Sequence, residues 1–248
     1  MNDLQTHTLN SRPESLGVIS LLRETLQFCV RHIGPLLFIL FSVAIPWELL
    51  DYLFLNEGSD ISKWGIKTAV SVILGMVVQS FTTAAVIAYM YRVLLQKSSI
   101  TMVQAYWLSY PYGLWLFGYT LLVIAATGLG LLFLLVPGIF FLARFALYQC
   151  VIMFEGTEKN PLSRSNALVK GHTWGILASL VLLIMLAMAL QWVFQQTMGI
   201  PLLELPLLWM FVYNLAAHVI FTISTVWTVL AYIRLRNMEH PQAEIVLA

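Results

Sequence analysis

Apolar residues along this chain gather into long blocks, with little of the strict alternation that marks strands. A bilayer crossing takes about 20 mostly apolar residues, because a helix rises about 1.5 Å per residue across a hydrocarbon core of about 30 Å. Six blocks meet that length: Pro35–Leu55, Ile66–Leu95, Leu114–Val136, Ile139–Phe154, Gly175–Thr197 and Leu207–Arg234. The third and fourth belong to one apolar run from Leu114 to Phe154, too long for a single crossing and interrupted by Pro137-Gly138. Proline lacks the backbone donor and glycine permits the turn, so a tight hairpin is predicted there. The pattern is that of an all-α polytopic membrane bundle with six transmembrane helices.

Three further segments, Leu16–Ile33, Ile100–Tyr112 and Pro161–Trp174, are apolar yet too mixed to cross, and each precedes a span. Aligned, they put Gly34, Gly113 and Gly175 at the same junction, with polar residues two to three turns earlier, among them Arg23 and Arg164. The expectation is three amphipathic elbow helices lying in the interface and bending into the bilayer at a glycine. The unit of one elbow and two spans, repeated, suggests a threefold internal repeat. Pro46 and Pro111 are expected to kink or break their helices. Asn160-Pro161 reads as N-cap and first helical position of the third elbow, with Gly171 ending it. The domain reading is a polar tail over 1–15, a membrane domain over 16–234 and a tail over 235–248.

Composition agrees with immersion in lipid. Of 248 residues, 60% are hydrophobic and 10% charged, with mean hydropathy +0.83, whereas a soluble domain carries about 25% charged residues. A net charge of only +1 gives no footprint for nucleic acid. Cys29 and Cys150 lack CxxC spacing and read as packing residues. The first 15 residues hold no apolar stretch of the kind a removable signal peptide needs.

The basic residues also orient the chain. If each unit goes down and back, the elbow face holds Arg12, Arg23, Arg31, Arg92, Lys97, Lys159, Arg164, Lys170, Arg234 and Arg236, against Lys63 and Lys67 on the other. By the positive-inside rule, both termini and the elbows are expected in the cytoplasm. The connections on the opposite face (NEGSDISKWG, the Pro137 turn and MGIPLLELP) are short, so no sizeable external domain is expected.

Charges inside a span are costly and usually seek partners within the bundle. Arg144 and Glu48 fall at similar depth in the outer half, with Asp51 one turn further out, so Arg144 is expected to pair with Glu48 or Asp51. The pair reads either as a register-fixing ion pair or as a charged gate or anion-recognition site. Gln79, Asn214, His218 and Gln191 lie near the same layer. Thr68, Ser71, Gly75, Gln79 and Thr82 share one helix face, as do Asn214, His218, Thr222, Thr225 and Thr228. Such stripes are packing surfaces or the lining of a polar cavity. At the other side, Glu155, Arg164, Lys170 and Trp174 are candidate cytoplasmic interfacial contacts with a partner protein or anionic headgroups. His218 has no second ligand at metal spacing, and no cofactor or metal is expected. The signatures H-E-x-x-H, G-x-S-x-G, Walker A and G-x-G-x-x-G do not occur.

Pro137-Gly138-Ile139, Arg144, Glu155-Gly156 and the run Leu162-x-Arg164-Ser165-x-x-Leu168-x-Lys170-Gly171-x-x-Trp174 resemble an uncharacterised bacterial six-span family. That family is labelled glycerophosphoryl diester phosphodiesterase membrane domain, and YciC-like inner-membrane proteins are similar. The likeness is specific over 137–174. It implies the fold and an inner-membrane location; it implies an enzyme only where a catalytic barrel is fused behind the spans, and none is expected here. The sequence thus points to a membrane scaffold or a lipid- or partner-binding component, with no nucleic acid and with a protein partner or homo-oligomer among the assemblies considered. A small transporter or channel around Arg144, and a lipid-modifying enzyme, are the alternatives.

Overall fold

The computed structural model describes residues 17–56, 61–96, 100–133, 135–158, 160–198 and 207–239. These form nine helices and, among the described residues, no strand: α1 Val18–Arg31, α2 Ile33–Asn56, α3 Ile61–Leu94, α4 Met102–Phe133, α5 Leu135–Phe145, α6 Tyr148–Glu155, α7 Pro161–Val169, α8 Thr173–Met198 and α9 Leu207–Glu239. Six segments are long and apolar enough to cross a membrane: Ile33–Leu53, Lys67–Leu94, Met102–Leu132, Gly138–Glu155, Thr173–Leu190 and Val212–Glu239. The chain is an all-α, multi-pass membrane protein.

Consecutive spans pack as antiparallel hairpins, α2 on α3, α3 on α4, and α4 on α5, while α9 returns to meet α1, α2 and α3. The core lies where the C-terminal ends of α3 and α9 surround α6. Ala84–Tyr91, Cys150–Phe154 and Val226, Trp227 and Val229–Ile233 are buried on every side. A helix that is apolar all round belongs inside a bundle. Phe154 joins the three, its ring 5.8 Å from Tyr91 and stacked 5.1 Å from Tyr232. By contrast, the apolar windows of α4 and α8 are only 11% and 17% buried within the protein, so most of their side chains face lipid.

The elbows divide into two kinds. α1 and α7 are separate helices, but the second elbow is continuous with its span in α4. Gly113 there closes no bend. A Cβ on it would come within 2.3 Å of the Phe81 ring, so glycine is needed for α3 to approach. The first break falls at His32, with φ −112°, two residues before Gly34. His32 stacks on Phe28 at 4.5 Å and its Nδ1 lies 3.1 Å from the Tyr89 hydroxyl; burial, with Arg31 adjacent, holds its pKa below the usual 6.5. The third break is at Gly171, where φ is +92°, a conformation that side chains other than glycine rarely adopt. Asn160 caps α7 as its sequence predicts, Oδ1 accepting from the Leu162 N–H at 3.1 Å. Pro46 and Pro111 lie inside α2 and α4, which continue through them.

α4 ends at Phe133 and α5 begins at Leu135, ahead of the expected Pro137-Gly138 turn, and both of those residues belong to the first turn of α5. Proline is accommodated there because the first N–H groups of a helix have no intrahelical partner. Gly138 instead allows contact: a Cβ on Gly130 would sit 2.9 Å from the Gly138 Cα. α9 extends to Glu239, five residues past the expected end of the last span. The expected tail over 1–15 and the connections at 57–60 and 199–206 lie outside the described residues.

The fourth span is interrupted at Ala146-Leu147, between α5 and α6. Backbone groups freed inside a bilayer need a partner from the protein. Ser165 of α7 supplies it from both sides: its Oγ donates to the Arg144 carbonyl at 2.8 Å and accepts from the Leu147 N–H at 3.2 Å. Ser165 is fully buried. Ser165→Ala leaves a buried N–H unsatisfied and is expected to cost about 1–3 kcal/mol. Thermal unfolding of the purified protein should show this loss, and the exposed neighbour Ser163→Ala should show none.

Candidate functional site

Two groups of polar side chains converge from helices distant in sequence. The first lies within the spans. Glu48 of α2 is 9% exposed, on the buried helix face that also carries Leu40 and Ala44. Asn214 Nδ2 donates to its Oε2 at 2.6 Å, and His218 Nε2 lies 3.1 Å from its Oε1. One helical turn separates Asn214 from His218, so the two reach the same carboxylate from one face of α9. On the other side of the imidazole, Nδ1 lies 3.2 Å from the Gln79 Oε1 of α3. Four of the residues expected in a buried polar cluster, Glu48, Gln79, Asn214 and His218, therefore do meet. Asp51 sits beside them and accepts a hydrogen bond from Ser71. Next to it the Trp47 ring packs over Gly75, 3.4 Å from where a Cβ would be.

Arg144 does not join them, and its expected pairing with Glu48 or Asp51 is not formed. α5 packs against α4, α7 and α8, away from α2 and α9. The Arg144 side chain is exposed, and among the described residues it makes no ion pair or side-chain hydrogen bond. Arg144 lies instead beside α7 and the start of α8, segments the sequence set at the opposite face, with its carbonyl on Ser165 and Phe140, one turn away, against Trp174. The Glu48 carboxylate finds neutral donors and an imidazole instead.

The hydroxyl stripes are packing surfaces. Thr82, Thr83, Thr222, Thr225 and Thr228 each donate to the carbonyl four residues earlier on their own helix. A hydroxyl so engaged hides its polarity from lipid.

The second group ties the ends of α6, α7 and α9. Arg164 Nε donates to Glu155 Oε2 at 2.7 Å, while Nη1 and Nη2 donate to Glu239 at 2.9 and 2.6 Å in a two-pronged contact. The remaining Glu155 oxygen accepts from the Tyr232 hydroxyl at 2.8 Å, which in turn accepts from Arg236 at 3.2 Å. The hydrogen bonds that Arg164 donates to Glu239, with the one to Glu155, outweigh desolvation and hold its proton more tightly than usual. Nearby, Arg234 donates to Ser20 at 3.0 Å and to Glu24 at 2.5 Å, binding α1 to the same end of α9. Gly156, with φ +76°, lets the chain leave α6 directly after Glu155.

Of the expected interfacial residues, Glu155 and Arg164 thus contact each other. Lys170 is exposed, and Trp174 is 71% exposed. The Trp174 ring meets Phe140 of α5 edge-on at 5.5 Å. Phe140 is one turn from Arg144 on the same face of α5. Glu239, Tyr232 and Glu24 were not anticipated: Glu239 falls in the expected tail, and Tyr232 is hidden in an apolar run. Among the described residues, no group of three or more His, Cys, Asp or Glu is placed to hold a metal ion. Neither a family model, nor a curated protein, nor a solved structure matches this chain.

Because one guanidinium serves two carboxylates, its loss and theirs should not add. Arg164→Gln is expected to cost about 1–2 kcal/mol, given that the group is partly exposed. Glu239→Gln should cost measurably less in the Arg164→Gln background than in the wild type, as read from unfolding midpoints.

Proposed function

We propose that the protein is a non-enzymatic component of the cytoplasmic (inner) membrane that binds anionic lipid headgroups at the outer surface of α5, α7 and α8. The observation that carries this reading is the exposed Arg144 within the Gly138–Glu155 span, which has no counter-charge among the described residues. An arginine on an apolar surface without a protein counter-charge needs an anion, and in a bilayer the nearest is a lipid phosphate. Its neighbours support the same ligand. Trp174 is an exposed interfacial aromatic, and Lys170, one turn before it in the chain, is an exposed cation. A planar guanidinium matches two phosphate oxygens, and the ammonium adds a point charge.

The orientation is part of the proposal. α1, α7 and the C-terminal end of α9 share one end of the bundle through Arg164 and Arg234, and the positive-inside bias of the chain supports a cytoplasmic setting for that end. Membership of the six-span family named above is likewise proposed, on the motif over 137–174.

The test is mass spectrometry of phospholipids retained through purification in mild detergent. Wild-type protein should retain anionic over zwitterionic lipid. Arg144→Gln and Lys170→Gln should each lower that retention roughly fivefold, from about 1 kcal/mol per cation at a lipid surface. Arg144→Lys should fall between wild type and Arg144→Gln, since it keeps the charge and loses the fork. Equal retention in all four proteins contradicts the reading.

A further inference from the structure

Counting protons in the Glu48 cluster leads beyond lipid binding. His218 presents both ring nitrogens to oxygen atoms: Nε2 to Glu48 Oε1 at 3.1 Å and Nδ1 to Gln79 Oε1 at 3.2 Å. Both contacts are hydrogen bonds when the pair holds two protons: an imidazolium facing a carboxylate is one such arrangement, a protonated Glu48 donating to Nε2 of a neutral ring the other. Glu48 accepts in addition from Asn214 at 2.6 Å, so the site as arranged is satisfied and electrically neutral. Removing one proton leaves one way to satisfy both contacts. With Nε2–H kept on the carboxylate, Nδ1 becomes an acceptor, and the Gln79 amide must rotate to turn its NH2 toward the ring.

The surroundings isolate this chemistry. α2 brings Asp51, which is engaged by Ser71, and α3 brings Lys67, itself engaged and three turns from Gln79. α9 adds Tyr213, which also has a partner. α4, packed on α2 and α3, contains no Asp, Glu, Lys, Arg or His, and neither does α8 beside α9. The charges that α1, α6 and α7 present to α9 meet it at Tyr232–Glu239, about four turns from His218. Glu48 and His218 are therefore the titratable pair at this depth that face each other. His218 keeps 21% of its side chain exposed, so the ring is not sealed off by the protein on every side.

We propose that Glu48 and His218 form an intramembrane proton-binding site whose occupancy is reported to α3 by the orientation of the Gln79 amide. The proton leaves from His218 Nδ1 to water and returns there. Glu48 holds the second ring proton and supplies the counter-charge, and Asn214 keeps the carboxylate aimed. Binding and release exchange the donor and acceptor roles between α9 and α3 while the contact of α9 with α2 stays in place.

The experiment is nitrogen NMR of 15N-histidine-labelled protein in lipid nanodiscs, with His7, His32, His172 and His240 changed to Gln so that His218 alone reports. Between pH 4 and 9 the ring should pass from two N–H groups to one, the retained proton on Nε2. Glu48→Gln should lower the midpoint by about one unit or more, because it removes an opposite charge at hydrogen-bonding distance. Gln79→Leu should lower it by less, because it removes only the acceptor of the Nδ1 proton. A ring that stays in one protonation state over that range, or that keeps its proton on Nδ1 when neutral, overturns the proposal. So does a midpoint unmoved by Glu48→Gln. Should that variant fail to fold, the parent titration and Gln79→Leu decide the matter.

Discussion

Hydrocarbon offers no hydrogen bonds, so each polar group carried into the membrane must find its partner within the protein. Much of this structure follows from that constraint. Hydroxyls along α3 and α9 turn back onto their own helix carbonyls. The interruption between α5 and α6 is closed by Ser165, reaching in from a helix that the sequence marks as too polar to cross. Glu48, the most costly group of all, is surrounded by Asn214 and His218, with Gln79 behind the ring. Each solution draws its partner from another helix or another turn, so satisfying polar groups also specifies which helices are neighbours.

The bundle is mechanically uneven as a result. At one end, the buried ends of α3 and α9 pack around α6, and Arg164, Glu155, Glu239 and Tyr232 tie α6, α7 and α9 together. A partly buried guanidinium with two carboxylates is worth most when it joins elements whose apolar faces already pack. α4 and α8, in contrast, show most of their surface to lipid. That division separates a stiff centre from a broad apolar exterior, and the exposed Arg144 stands on the exterior. The polar pair Glu48–His218 lies between α2, α3 and α9, where a change of protonation acts directly on helix contacts.

Span count and the first and third elbows were legible in the sequence because they depend on length and polarity alone. Asn160-Pro161 likewise announced the start of α7. Lateral position was not legible. Arg144 and Glu48 stand at similar depth in the hydropathy pattern, yet they belong to helices that do not touch, and no periodicity within either helix reveals its neighbours. Glycine was ambiguous for a related reason. Gly113 looks the same in sequence whether it bends a chain or admits Phe81, and only packing tells the two apart. The partners of Glu48 were readable as a polar layer; that they choose one another over the nearby arginine depends on how each helix is rotated.

The most direct test of the threading is cysteine labelling from outside intact cells, in protein with Cys29 and Cys150 replaced by Ala. A membrane-impermeant maleimide should modify a cysteine at Ser59, between α2 and α3, and leave one at Ser163 of α7 unmodified until the cells are opened. Equal modification of both positions in intact cells would contradict the six-helix threading, and with it the gathering of α1, α7 and the end of α9 on the cytoplasmic side.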